Sequence, residues 1–367
     1  MSALILPGRF KTRDNASAYA LDAAVGRALG GRFKTHDGRT VDSTGAFMVG
    51  ELERLDQTLH MPLAAVTWGR DIDLREDVSI ADEASSFTLS NAGSPGGLGT
   101  GSGIGNGKAW IGKSTDQITN INVDIAKIVN PLRPWGLELK YTVLELESAA
   151  KLGRPIDQQK FEFLQLKHQM DIDEQVYYGD TTMGDTGLLN NSLITNTGTV
   201  ANGAGGHTPW VSKTPAEILL DVNAIVTSVW AASAWAVMPN RLLLPPAVFG
   251  YISTTTVSTA GNVSILKYLE ENNITVRAGR GKLEIYPCKW LIGLGTGGTF
   301  GTPGGATTSY DVMFCYTKDK QRVRYPMTML QRTPIQYDSI YHKTTYFCRL
   351  GRVEVVYPET LGWRQGV

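Results

Sequence analysis

Apolar positions recur along this chain with two different spacings, and each spacing predicts an element. In VTWGRDIDL, residues 66–74, Val66, Trp68, Ile72 and Leu74 fall on one side of an extended chain, and Thr67, Gly69, Asp71 and Asp73 on the other. The alternation returns near 118–128, where Ile121, Val123 and Ile125 interleave with Asn122, Asp124 and Ala126. Between the two strands lies a glycine-rich stretch, 91–107, with no continuous apolar run. Together they read as a long two-stranded excursion with a glycine tip. Such a hairpin is marginal at best when it stands alone in water, so its length points to packing on another subunit.

Helical spacing follows. Thr142 and Glu145 make a capping-box pattern that opens a short helix, and Gly153 and Pro155 stop it. A longer helix is predicted over 157–178, with Phe163, Leu166, Met170 and Tyr177 on its apolar face and Gly179 just past its end. Thr214, Pro215 and Glu217 occupy the N-cap, N1 and N3 positions of a third helix, whose stripe is Ile218, Val222, Ile225 and Val229. RLLLPP, 241–246, reads as a buried strand. Short helices are expected near 247–252 and 262–271, strands at 274–277 and 283–292, and a second glycine loop at 293–305. The C-terminal third is strand-rich. In it Val353, Val355 and Tyr357 alternate with Arg352, Glu354 and Val356. Near the N-terminus, 47–60 can form one amphipathic helix. The polar residues before it contain GRFKT twice, at 8–12 and 31–35, too few copies for a solenoid.

Composition narrows the function classes. Of 367 residues 42% are apolar, enough for a large core, and 35 basic residues balance 35 acidic ones. A balanced chain without a basic run is not a nucleic-acid-binding basic domain. Cys288, Cys315 and Cys348 are odd in number and have neither metal nor disulfide spacing, so they read as buried thiols in a reducing compartment. The opening MSALILPGRF is too short for a signal peptide, and no apolar stretch reads as a membrane span, so synthesis in the cytosol is expected.

One motif suggests nucleotide chemistry. GKAWIGKS, 107–114, matches the phosphate-binding P-loop pattern. That loop needs a strand before it and a helix opening at the Lys-Ser, so that backbone N–H groups and the helix N-terminus meet the phosphates. Here a glycine loop precedes and a strand follows, which makes the match a hairpin tip and Lys113 a partner for a carboxylate or solvent. The five histidines form no ligand pair. His168 and Asp171, one helical turn apart, read as a solvated face. No nucleophile elbow, CxxC or paired-carboxylate motif is present, which shifts weight toward a structural role.

The order of parts carries a resemblance. YTVLELESAAKLGRPIDQQKFEFLQLKHQMDIDEQVYYGD followed by GLLNN, then an α/β region and the ending GRVEVVYPETLGW, resembles the major capsid protein of tailed bacteriophages, a fold shared with herpesvirus capsid floors and encapsulins. The likeness runs from about residue 47 to 367. It implies an α+β fold: an N-terminal arm at 1–46, a short helix at 47–65 leading to an extended loop at 66–130, and a peripheral domain at 131–215 with a spine helix at 157–178. An axial domain at 216–309 and returning strands at 310–367 complete it. It implies a structural subunit that assembles into pentamers and hexamers of an icosahedral shell around phage DNA, located in the virion, with no catalytic residue, cofactor or metal. Partners would be copies of the chain itself, scaffolding, portal and decoration proteins, and packaged double-stranded DNA by non-specific proximity, with no membrane. Arg70, Asp71, Asp73, Arg75, Lys108 and Lys113 are the candidate inter-subunit loop residues. Some members of that family crosslink a loop lysine to an asparagine, but QRTPIQYDSIYHK offers only Asp338, so no crosslink is expected. With no room before residue 47 for a scaffolding domain, a separate scaffolding protein or none is expected. An encapsulin-like compartment shell and a P-loop nucleotide-binding enzyme are the competing readings.

Overall fold

The two continuous apolar runs, Arg241–Leu244 and Val312–Tyr316, lie side by side at the centre of a five-stranded sheet. Its order is Glu284–Pro287, Arg241–Leu244, Val312–Tyr316, Leu361–Gln365 and Thr195–Thr199, parallel at both edges and antiparallel between. The sheet is buried on both faces, which is why these strands read as unbroken apolar runs. Alternate residues serve different cores. Val312, Phe314 and Tyr316 join Leu243 and Trp363 on one side, and Met313 and Cys315 join Leu242 and Leu244 on the other.

These contacts come from a computed structural model, which describes residues 33–34, 40–41, 62–93, 113, 122–152, 156–258, 261–296, 299–300 and 310–367. The chain divides into two units, 1–61 and 62–367. In the first, the described residues form one antiparallel pair, Phe33–Lys34 with Thr40–Val41. The helix expected at 47–60 and the first GRFKT copy lie outside the described residues.

The helix Pro215–Ala232 covers one face of the five-stranded sheet. Thr214 and Glu217 cap it reciprocally, and Ile218, Val222, Ile225 and Val229 are fully buried, as their spacing predicts. By length and hydropathy this helix would pass as a membrane span, contrary to the expectation that no stretch does. Its buried stripe makes it a core helix.

The long helix Ile156–Tyr177 ends at Gly179, whose φ of +67° is left-handed. A Cβ there would lie 2.5 Å from the Asp185 carbonyl oxygen, so only glycine fits. Of the expected face, Tyr177 is fully buried and Leu166 partly so, but the rest of the buried face differs. Leu164, His168, Ile172 and Val176 are inside, at i, i+4, i+8 and i+12, while Phe163 and Met170 are exposed. The long strands Arg133–Thr142 and Tyr341–Leu350, paired over ten rungs, supply the surface that selects this face. His168 packs on Trp135 from one strand and meets Cys348 Sγ at 3.3 Å on the other, so it is a core histidine and not part of a solvated face.

Other differences have local reasons. Residues 66–74 do not form a strand: Trp68–Asp71 is one helical turn and only Asp73–Arg75 is extended, pairing in parallel with Val323–Pro326. The turn forms because the Thr67 and Trp68 N–H groups donate to the Asp173 carboxylate at 2.8 and 3.0 Å, a cap supplied from the long helix. Residues 274–277 are helical, capped by the Asn273 side chain. In 283–292 the strand stops at Pro287. Glu354 breaks the alternation at 352–357, being buried between its neighbours while Tyr357 is exposed. Cys288, Cys315 and Cys348 are buried free thiols.

Candidate assembly surface

The hairpin consists of Ala84–Gly93 and Asn122–Pro131, antiparallel from Ala84↔Pro131 to Gly93↔Asn122. Among the described residues it is a sheet of its own. The register puts apolar side chains on both faces, among polar ones. Phe87 and Leu89 oppose Ile128 and Ala126 on one. On the other, Val123, Ile125 and Val129 lie across from Ala92, Ser90 and Ser86. Val123 is 58% exposed, Ile125 72%, Ile128 38% and Val129 56%. Full burial of each such side chain is worth about 1.5–3 kcal/mol. An exposed apolar ribbon of this kind is a surface for association.

At the hairpin's root the environment changes within one rung. The paired Ser85 and Asn130 are buried. Arg75 Nη1 donates to Ser85 Oγ at 2.8 Å, to the Ser86 carbonyl at 3.0 Å and to the Glu354 carboxylate at 3.2 Å. Arg324 Nε donates to the same carboxylate at 2.6 Å, and Ser85 Oγ donates to it as well. The other edge of Arg75 grips Asp77 at 2.7 Å and holds that carboxyl below its usual range.

Arg70, Asp71 and Asp73 precede the hairpin strands. Arg70 and Asp71, expected to reach a neighbour, are engaged within the chain. Asp71 is fully buried and accepts from Arg70 at 2.7 Å, from Arg241 at 3.4 Å and from the Tyr177 hydroxyl. Arg70 also donates to the Pro287 carbonyl at 2.8 Å and lies over the Tyr286 ring. Burial works against its charge, and the hydrogen bond and charge of Asp71 outweigh it, so its pKa is raised. Asp73 pairs with Lys318 at 3.4 Å. Lys113 lies in an exposed turn, and Lys108 is outside the described residues. The first described element after Lys113 is the strand Asn122–Pro131, where a P-loop requires a helix.

Sequence reasoning missed Asp173 and Glu354. Asp173 accepts from Thr67, Trp68 and, at 2.8 Å, the Trp290 indole, and pairs with Lys289 at 3.0 Å. No local signal marks either residue, because their partners come from distant segments. A second exposed apolar group lies where the long strands end. Leu144, Tyr337 and Ile340 are all exposed, and Ile340 accepts from the Val143 N–H.

His168 makes this region acid-sensitive. Burial lowers its pKa, and the nearby charge of Asp171 opposes that shift less strongly. Above the ordinary histidine value of about 6.5, folded and unfolded chains are both neutral there. As pH falls below it, the unfolded chain takes up the proton first, and stability is lost until the folded histidine titrates too. His168→Leu is expected to lose less stability than the wild type on that descent, as read by thermal unfolding at stepped pH. An unchanged difference between the two proteins across the range would refute it.

A long helix under a sheet of long paired strands, a doubly covered central sheet and a projecting hairpin make up an architecture that solved capsid structures share. The capsid of Myoviridae phage XM1 aligns with a TM-score of 0.67 and 14% identity, over 87% of this chain and 98% of that one. The capsid of the native GTA particle gives 0.55 and 12%, and Mycobacterium phage Ogopogo 0.52 and 12%, each over 89% of this chain and 99% of the other. No curated protein matches the sequence. Residues 107–367 match the family described as Major capsid protein, and the chain belongs to that family. It is a structural capsid subunit of the tailed-phage type.

Proposed function

We propose that the chain assembles with copies of itself into pentamers and hexamers that close an icosahedral shell around double-stranded phage DNA. The observation that carries this reading is the hairpin, whose return strand exposes Val123, Ile125, Ile128 and Val129 on its two faces. Residues 66–130 then act as the extended loop, with 66–83 serving as its base, and 1–46 as an arm that reaches another neighbour. Residues 131–215 form the peripheral domain, 216–309 the axial domain and 310–367 the returning strands. Obligate interfaces commonly bury about 2,000–5,000 Å², and closed symmetry turns many such contacts into a stable particle. A net charge of zero suits a wall that lies beside DNA without gripping it. Scaffolding, portal and decoration proteins are the further partners, and synthesis takes place in the host cytoplasm.

Negative-stain electron microscopy of the purified protein tests the proposal. Closed polyhedral particles or rings of five or six are expected, with a diameter that separates a phage head from a small compartment. A dispersed monomer at every concentration would overturn it.

A further inference from the structure

We propose that Glu354, with Arg75, Arg324 and Ser85, is the positioning site that sets the direction in which the hairpin leaves the body, and through it the curvature of the assembly. The second half of this proposal rests on the shell reading above; the first does not.

The backbone places a pivot here. Leu132 alone separates the hairpin strand Asn122–Pro131 from the body strand Arg133–Thr142, so the return strand runs almost unbroken from ribbon to sheet. Leu132 is buried. Its N–H donates to the Glu83 carbonyl at 2.9 Å and its carbonyl accepts from Arg349 Nη1 at 3.2 Å. Gly351 packs against it so closely that a Cβ would lie 2.8 Å from Leu132 Cδ2. In the turn before the outgoing strand, Arg349 Nε donates to the Ile80 carbonyl at 2.7 Å. Both strands are therefore tied to the body up to the Ser85–Asn130 rung; beyond it the return strand is exposed and the outgoing strand partly so.

At that rung the ties are directional. One guanidinium nitrogen of Arg75 contacts the Ser85 hydroxyl, the Ser86 carbonyl and Glu354 together. The Glu354 carboxylate, fully buried, accepts from three groups on three segments: Arg75, Arg324 and Ser85. An apolar joint would tolerate a range of angles, because packing is only weakly directional. Charge-assisted hydrogen bonds from a rigid guanidinium fork favour one geometry. Buried ion clusters add little net stability relative to apolar replacements, so setting geometry is the role that fits this one.

The test uses the full-length chain with spin labels at Thr88→Cys and Lys320→Cys, both exposed positions. The three native thiols are buried and do not compete for label. Labelled protein is diluted into unlabelled protein, and the hairpin-to-body distance is measured by pulsed electron resonance. Otherwise unmodified protein is expected to give one narrow peak. Ser85→Ala and Glu354→Gln are expected to lose it, and Ser85→Thr, which keeps the hydroxyl, to restore it. Ser85→Ala leaves the carboxylate and both arginines in contact, so its distance distribution is read in a folded subunit whatever Glu354→Gln does to stability. Shells of Ser85→Ala are expected to show mixed diameters or open sheets in place of one closed size. An unchanged narrow peak in Ser85→Ala overturns the pivot. A widened peak with unchanged shell diameter overturns the link to curvature. Unmodified protein that forms no shell at any concentration overturns the shell reading, and the distance measurement still decides the pivot.

Discussion

Replacing Ile125 and Val129 together by aspartate is expected to abolish shell formation while leaving the subunit folded. Both side chains lie on the same face of the hairpin and are more than half exposed, so they contribute little to the isolated chain. Exposed substitutions of this kind usually change stability by no more than about 0.5 kcal/mol. In the shell proposed above the same positions are covered. Burying an unpaired carboxylate is far more costly than the 1.5–3 kcal/mol or so gained by burying each aliphatic side chain it replaces. The penalty recurs in every copy, so assembly fails cooperatively. Sedimentation velocity should show the double variant as a small species under conditions where the parent protein forms particles, with unchanged circular dichroism. Particles of normal size and yield would show that this face of the hairpin stays in solvent.

Asp173→Ala is expected to have the largest effect on the subunit itself, a loss of roughly 3 kcal/mol or more, because three N–H donors lose their acceptor at about 1–3 kcal/mol each. The carboxylate is fully buried and satisfies the Thr67 and Trp68 N–H groups, the Trp290 indole and the Lys289 ammonium. Alanine leaves three N–H donors and a cation without their acceptor. Asparagine keeps one oxygen and should recover part of the loss. Chemical denaturation of the full-length subunit measures both, and an alanine variant within about 1 kcal/mol of the parent would show that water replaces the carboxylate fully. The same change should loosen Trp68–Asp71 from the long helix, raising hydrogen exchange at those amides before global unfolding.

Elements set by near neighbours were legible in the chain. The Thr214–Glu217 capping box, the N-cap at Thr142 with its hydrogen bond from the Glu145 N–H, and the left-handed Gly179 each use partners within a few residues. The continuous apolar runs at 241–244 and 312–316 announced strands buried on both faces, and the alternating segment before 131 announced a hairpin strand. Of the glycine stretch expected at 91–107, residues 91–93 belong to the strand and 94–107 fall outside the described residues, as does most of the arm expected at 1–46.

What failed did so for one physical reason. Residues 66–74 have the period of a strand, yet a carboxylate 106 positions away caps Thr67 and turns the segment into a helical turn. Glu354 has the period of an outward residue, yet Arg75, 279 positions earlier, draws it inside. His168 looks solvated on a helical wheel and is covered by strands that close over it only in the fold. By itself the sequence determined the caps, the apolar runs, the hairpin and the family pattern, because hydrogen bonds and side-chain periodicity within a few residues are enough to specify them. Only the tertiary structure decided which face of the long helix is buried, where the polar residues of 67–75 belong and what holds the hairpin at its root. Burial of a charge is favourable only when its partners arrive from elsewhere in the chain, and no local pattern records that they will.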